Sequence, residues 1–204
     1  MRERVLAYVD GFNLHFGIKA KGWRRYAWLD LGVLADQLRK PEQTIVAVKY
    51  FTALLSGPGA KRTRQKLFLE ANEVQGRCSV HLGQFQNSSR RCPRCGLEDD
   101  KPSEKMTDVR IATELLADAF EDRFDAALLI TGDSDLAPVV EKLRDIFPQK
   151  RIIMAFPPAR FSQRLSTLAH GFVVIGRAKL AACQLPDEVT KADGVVLCRP
   201  QEWR

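Results

Sequence analysis

Residues 128–135 read Leu128-Leu129-Ile130-Thr131-Gly132-Asp133-Ser134-Asp135. A short apolar run stops at a turn and is followed at once by two carboxylates one residue apart. An apolar run bounded by turn residues fits a strand buried on both faces. Its carboxylates then lie just past the strand's C-terminal end, where open α/β sheets place their ligands. A second such run, Val5-Leu6-Ala7-Tyr8-Val9, is followed by Asp10-Gly11-Phe12-Asn13. If the two strands are neighbours, three carboxylates meet at one sheet edge, an arrangement that suits a metal ion.

Strand-like and helix-like stretches alternate on both sides of that run. Strands are expected at 5–9, 44–55, 78–85, 124–130, 151–156 and 172–175. Helices are expected at 30–39, 61–75, 106–120, 135–147 and 161–169, with Pro138 in a first turn, where a missing N–H costs nothing. Residues 14–28 read as a basic, aromatic connection, and 56–59 as a turn. Residues 87–104 are polar, without helical or strand period, and carry Cys92-Pro93-Arg94-Cys95. The tail 177–204 is weakly patterned and expected to pack loosely. Strands alternating with helices imply a mainly parallel sheet with helices on both faces. The expected organisation is one α/β domain over 1–176, a Cys-containing insertion at about 87–104, and a C-terminal extension over 177–204.

The chain has 204 residues, 45% hydrophobic and 28% charged, as in an ordinary globular protein. No apolar run approaches the ~20 residues that span a bilayer, and the N-terminal apolar run is too short for a signal-peptide core. A cytoplasmic location without membrane association is expected. The net charge of +7 suits a polyanionic partner such as nucleic acid, the alternative being solvated basic faces. Five cysteines without an export signal suggest reduced thiols or a metal rather than disulfides.

In the helix expected at 106–120, Asp108, Ala112, Leu115 and Ala119 share one stripe. That stripe should face the sheet, which aims Asp108 at the sheet edge; Glu114 and Asp118 are then expected to face solvent. Each acid alone has a plain explanation. Asp108 could be a helix-start residue, Asp10-Gly11 a turn pair, and Asp133 and Asp135 a turn and an N-cap. Their coincidence on one side of the sheet favours a site. Carboxylates crowded together repel, so such a cluster persists with a bound cation or a shared proton. Oxygen ligands with no nearby histidine favour magnesium or manganese over zinc. A pair of such ions can activate water and stabilise a leaving oxygen in phosphodiester hydrolysis. The Asn13 amide could orient a water, a ligand or a neighbouring Asp.

Asp10-Gly11-Phe12-Asn13, Glu104-Lys105-Met106-Thr107-Asp108-Val109 and Thr131-Gly132-Asp133-Ser134-Asp135-Leu136, in that order, resemble the NYN domain. This is a branch of the PIN-like metal-dependent ribonucleases, and the chain looks like its bacterial branch over roughly residues 3–176. The resemblance implies a three-layer PIN-like (Rossmann-like) α/β fold and an endoribonuclease acting on RNA with Mg²⁺ or Mn²⁺. It also implies that Asp10, Asp108, Asp133 and Asp135 hold metal, with Asn13 supporting them. Family members often carry Gly where Met106 stands and Phe where Leu136 stands; neither side chain is a ligand. A homo-oligomer or a regulatory protein partner is compatible with the resemblance.

Lys19-Ala20-Lys21-Gly22-Trp23-Arg24-Arg25-Tyr26-Ala27-Trp28 interleaves cations with aromatics, which suits single-stranded RNA: phosphates meet Lys19, Lys21, Arg24 and Arg25 while bases stack on rings such as Trp23. The alternative is a loop pinned to the core by Trp23 and Trp28. Lys105 could meet a scissile phosphate or remain solvated. A second basic run, Lys61-Arg62-Thr63-Arg64-Gln65-Lys66, opens a helix, where positive charge is unfavourable.

Cys92 and Cys95 have the spacing of half a zinc site, and Cys78 with His81 could supply the other half. Against this, residues three apart in a strand point to opposite faces. Two other functions compete with nuclease chemistry. A non-catalytic RNA-binding or regulatory module fits the basic segments equally well. A haloacid-dehalogenase-type phosphatase would need an Asp where Phe12 stands.

Overall fold

The computed structural model describes residues 2–55, 59–91 and 98–204, with the side chains of 84–105 left aside. Its centre is a six-stranded sheet, built from β1 (Glu3–Asp10), β2 (Gln43–Thr52), β3 (Cys78–Leu82), β6 (Ala126–Ile130), β7 (Arg151–Phe156) and β8 (Gly171–Val174). The order is β3-β2-β1-β6-β7-β8, and every neighbouring pair is parallel. The chain therefore winds outward from β1 to one edge, returns to the middle at β6, and winds to the other edge. The winding reverses between β1 and β6, and the C-terminal mouth of such a reversal is where open α/β sheets bind ligands.

Side chains alternate across the sheet. Val5, Ala7 and Val9 face one apolar cluster with α1 (Gly11–Ala20), α2 (Leu31–Leu38) and α3 (Ala60–Val74). Leu6 and Tyr8 face a second cluster with α4 (Thr107–Phe120), α5 (Ala137–Ile146) and α6 (Gln163–Leu168). Helices thus cover both faces, and β1 and β6 are buried along almost their whole length. This is the expected α/β fold with a mainly parallel sheet.

Several local expectations are corrected. Residues 14–20 of the connection expected at 14–28 belong to α1. Phe12, Leu14, Phe16 and Ile18 alternate in sequence and mask a helix whose buried positions are Gly11, Leu14, Gly17 and Ile18. The β3 strand ends at Leu82; β4 (Gln84–Arg91) and β5 (Glu98–Lys105) then pair antiparallel where an irregular loop was expected. Pairing with itself gives this arm its backbone hydrogen bonds, and its polar sequence carries no period-two apolar pattern. Most of the turn expected at 56–59 lies outside the described residues, as do Cys92 and Cys95.

The tail also packs more closely than its sequence suggests. Leu180 of α7 (Arg177–Ala182) and, after it, Cys183, Leu185, Val189 and Leu197 join the first apolar cluster. The short strands β9 (Glu188–Thr190) and β10 (Val196–Cys198) form a hairpin beyond it. The Trp28 indole Nε1 donates to the Pro186 carbonyl at 2.7 Å, and Trp203 packs on Trp28 and Phe68. Only isolated apolar residues are needed to dock so short a segment, so its periodicity is weak.

Asp118 does not face solvent. It is 1% exposed, accepts from the Tyr8 hydroxyl at 2.7 Å, and meets the buried Lys49 ammonium at 2.7 Å. Glu114, half-buried, accepts from the same ammonium. Ile111 belongs to the buried arc of α4 together with Leu115, Asp118 and Ala119. Its inclusion turns the arc toward Asp118, and Lys49 reaches across from β2 to neutralise it.

Candidate metal centre

Val9 is paired with Ile130, so the residues that follow them, Asp10 at the end of β1 and Thr131 just past β6, lie side by side. Asp10 is the N-cap of α1: its Oδ1 accepts from the Asn13 backbone N–H at 2.9 Å. Its Oδ2 accepts from the Thr131 hydroxyl at 3.0 Å. The same hydroxyl oxygen accepts from the Asp133 N–H at 3.1 Å, and the Asn13 side-chain oxygen accepts from the Gly132 N–H at 2.9 Å. Asn13 and Thr131 thus tie the ends of β1 and β6 together. Two glycines permit the close approach. A Cβ on Gly11 would lie 2.8 Å from the Phe51 carbonyl, and one on Gly132 would lie 2.7 Å from the Arg160 carbonyl.

Asp108 comes from a separate element. Met106 takes a left-handed conformation, φ 79°, which turns the chain from β5 into α4 and sets Asp108 in the first turn. One carboxylate oxygen from each of Asp10, Asp108 and Asp133 lies within 4.8 Å of the other two. Asp135 is not in that trio; it is exposed in the following 3-10 turn, and its N–H donates to Asp133 Oδ1 at 3.0 Å.

The electrostatics match this crowding. Asp10 is 5% exposed, and burial, with help from the charges of Asp108 and Asp133, pushes its carboxyl up to about 6 against two lowering hydrogen bonds. Partial burial and then the charges of Asp133 and Asp135 hold the Asp108 carboxyl above the ordinary carboxylate range. These groups gain from a positive charge among them, and their all-oxygen donor set is that of a hard divalent cation.

A model of the NYN domain matches residues 4–176. The chain belongs to the NYN domain family. The NYN framework is nuclease-like, which gives the Asp cluster a hydrolase setting at that coarse level. The NYN chain is 24% identical to 6-hydroxy-3-succinoylpyridine 3-monooxygenase HspA of Pseudomonas putida, over the whole of this chain and 75% of that protein. Its fold is similar to that of a crystallised protein of unknown function from Vibrio parahaemolyticus, with TM-score 0.56, 21% identity, and coverage of 86% of this chain and 94% of that one.

The other expected site residues are dispersed. Lys19, Lys21, Arg24 and Arg25 are exposed at the far end of α1 and in the 3-10 turn after it, while Trp23 is half-buried against the first apolar cluster. Lys105 ends β5, two residues before α4. Cys78 and His81 do not converge. Cys78 packs against the first cluster, where burial pushes its thiol up to about 12, the mark of an inert thiol. His81 stacks on Phe51 of the second cluster at 4.9 Å, on the other side of the sheet. Sequence reasoning assigned no role to Thr131. Its only signal is its place between a strand end and an acid.

Proposed function

We propose that the chain is a metal-dependent endoribonuclease. The observation that carries this reading is the meeting of Asp10, Asp108 and Asp133 at the mouth of the sheet's reversal point. These three would hold Mg²⁺ or Mn²⁺, with Asp135 at the rim. A divalent cation there supplies Lewis-acid stabilisation of phosphate charge and lowers the pKa of a bound water. The chain's own residues supply geometry. The Thr131 hydroxyl and the Asn13 N–H fix both oxygens of Asp10, and the Asn13 amide fixes the loop bearing Asp133. The ten-residue α1 is about 15 Å long, which sets Lys19, Lys21, Arg24 and Arg25 a few nucleotides from the cluster along a bound strand. Lys105, next to α4, would neutralise phosphate or the acids.

The test is cleavage of labelled single-stranded RNA with Mn²⁺ or Mg²⁺. Asp133→Asn should reduce the rate at least a hundredfold, and chelation should abolish it. Cleavage that survives both would refute the reading. Metal-independent RNA binding without turnover would leave a binding module. A second reading rests on the Pseudomonas relative, named as a monooxygenase. The similarity extends through residues 177–204, outside the NYN match, and that tail helps to wall a cavity of about 450 Å³. On this reading the cavity holds a small heteroaromatic acid. Dioxygen uptake with 6-hydroxy-3-succinoylpyridine and a two-electron reductant, without RNA cleavage, would favour it.

A further inference from the structure

The cavity of about 450 Å³ runs along α1, starting at Gly11 and Phe12, which directly follow Asp10, and ending at Lys19 and Arg24. Its size is ordinary for small-ligand pockets, roughly 300–1,000 Å³. One wall carries three rings packed edge to face: Tyr50 stands at 5.7 Å from Phe68, and Phe68 at 6.3 Å from Trp203. Trp203 lies outside the NYN match and is placed by the tail. Arg199 donates to the Arg25 carbonyl and to the Trp203 carbonyl, while Glu202 pairs with Arg64 at 2.5 Å.

The charge on this lining is one-sided. Glu202 is its single carboxylate, and it is matched by Arg64. That leaves Lys19, Arg24 and Lys61 with no carboxylate partner among the described residues. His15 sits at the mouth, where desolvation and then the charges of Lys19, Arg24 and Arg64 hold its imidazole below the usual range. Flat apolar rings beside uncompensated cations recognise a planar base carrying a phosphate.

We propose that this cavity binds one nucleoside monophosphate unit, its base against Tyr50, Phe68 and Trp203 and its phosphate toward Lys19, Arg24 and Lys61. The tail beyond the NYN domain then acts as the outer wall of a nucleotide subsite along α1. The choice of ligand rests on the ribonuclease reading, but binding here needs neither metal nor cleavage.

The test is calorimetric titration of the full chain with AMP and with adenosine, in chelator. AMP should bind, and adenosine should bind at least tenfold more weakly. Lys61→Glu, an exposed change, should weaken AMP at least tenfold while leaving adenosine binding unchanged and without lowering Tm. Trp203→Ala should weaken both ligands. No binding of AMP at millimolar concentration, equal affinity for the two ligands, or indifference to Lys61→Glu would overturn the proposal. AMP binding by a chain that never cleaves RNA would sustain this subsite and sink the ribonuclease reading. RNA cleavage by a chain that does not bind AMP would do the reverse.

Discussion

The Thr131 hydroxyl donates to the Asp10 carboxylate at 3.0 Å across 121 residues of sequence, and its oxygen also accepts from the Asp133 N–H. One neutral side chain therefore orients two of the three clustered acids. Thr131→Val keeps the shape and removes both bonds. The loss should cost about 1–3 kcal/mol of stability, because buried groups lose their partners. RNA cleavage should fall about tenfold, one hydrogen bond's worth of positioning, and more Mn²⁺ should be needed for half-maximal rate. Unchanged metal dependence would show that Thr131 does not orient the acids.

The Asp10 carboxyl, pushed up to about 6 in the fold, has an ordinary value of 3.8. The folded state therefore holds this proton more tightly than the unfolded chain does. Without divalent metal, this group favours folding below pH 4, and the advantage fades as pH rises through 6. The effect is at most about 3 kcal/mol. In chelator, Asp10→Asn should raise Tm at pH 7.5 and raise it only about a third as much at pH 4.5. Equal shifts at both pH values would show that Asp10 ionises freely in the fold.

Lys49 is 7% exposed and faces Asp118, which is 1% exposed. Among the described residues, Lys49→Met would leave that carboxylate buried with only Tyr8 and the more distant Arg123 as partners. A broken buried pair costs about 3–5 kcal/mol. Urea unfolding should show a loss of that size, and Lys49→Met with Asp118→Leu should recover part of it. A loss under 1 kcal/mol would mean that water reaches Asp118.

Met106 holds φ 79° at the entry to α4. A left-handed conformation costs a non-glycine residue about 1–2 kcal/mol, and glycine returns part of the gain as unfolded-chain entropy. Met106→Gly should therefore stabilise by about 0.5–1 kcal/mol, and Met106→Val should destabilise, because β-branched residues are rare at positive φ. Thermal melts of the two variants test this order.

The sequence by itself determined the α/β class, the strands that carry the acids, and the order in which the acids arrive. Buried parallel strands must be continuous apolar runs, and Asp10 and Asp133 follow two of them directly. Their partnership, however, depends on β1 lying next to β6, which local periodicity does not encode. Thr131 joins Asp10 and Lys49 joins Asp118 across 121 and 69 residues of sequence. The same is true of Cys78 and His81, whose spacing suggests a pair until the sheet sends them to opposite faces. The tail shows the limit most plainly. A few scattered apolar side chains dock it, and no repeating pattern is required for that. Composition and period report which way a residue wants to face; only the assembled layers decide what it meets there.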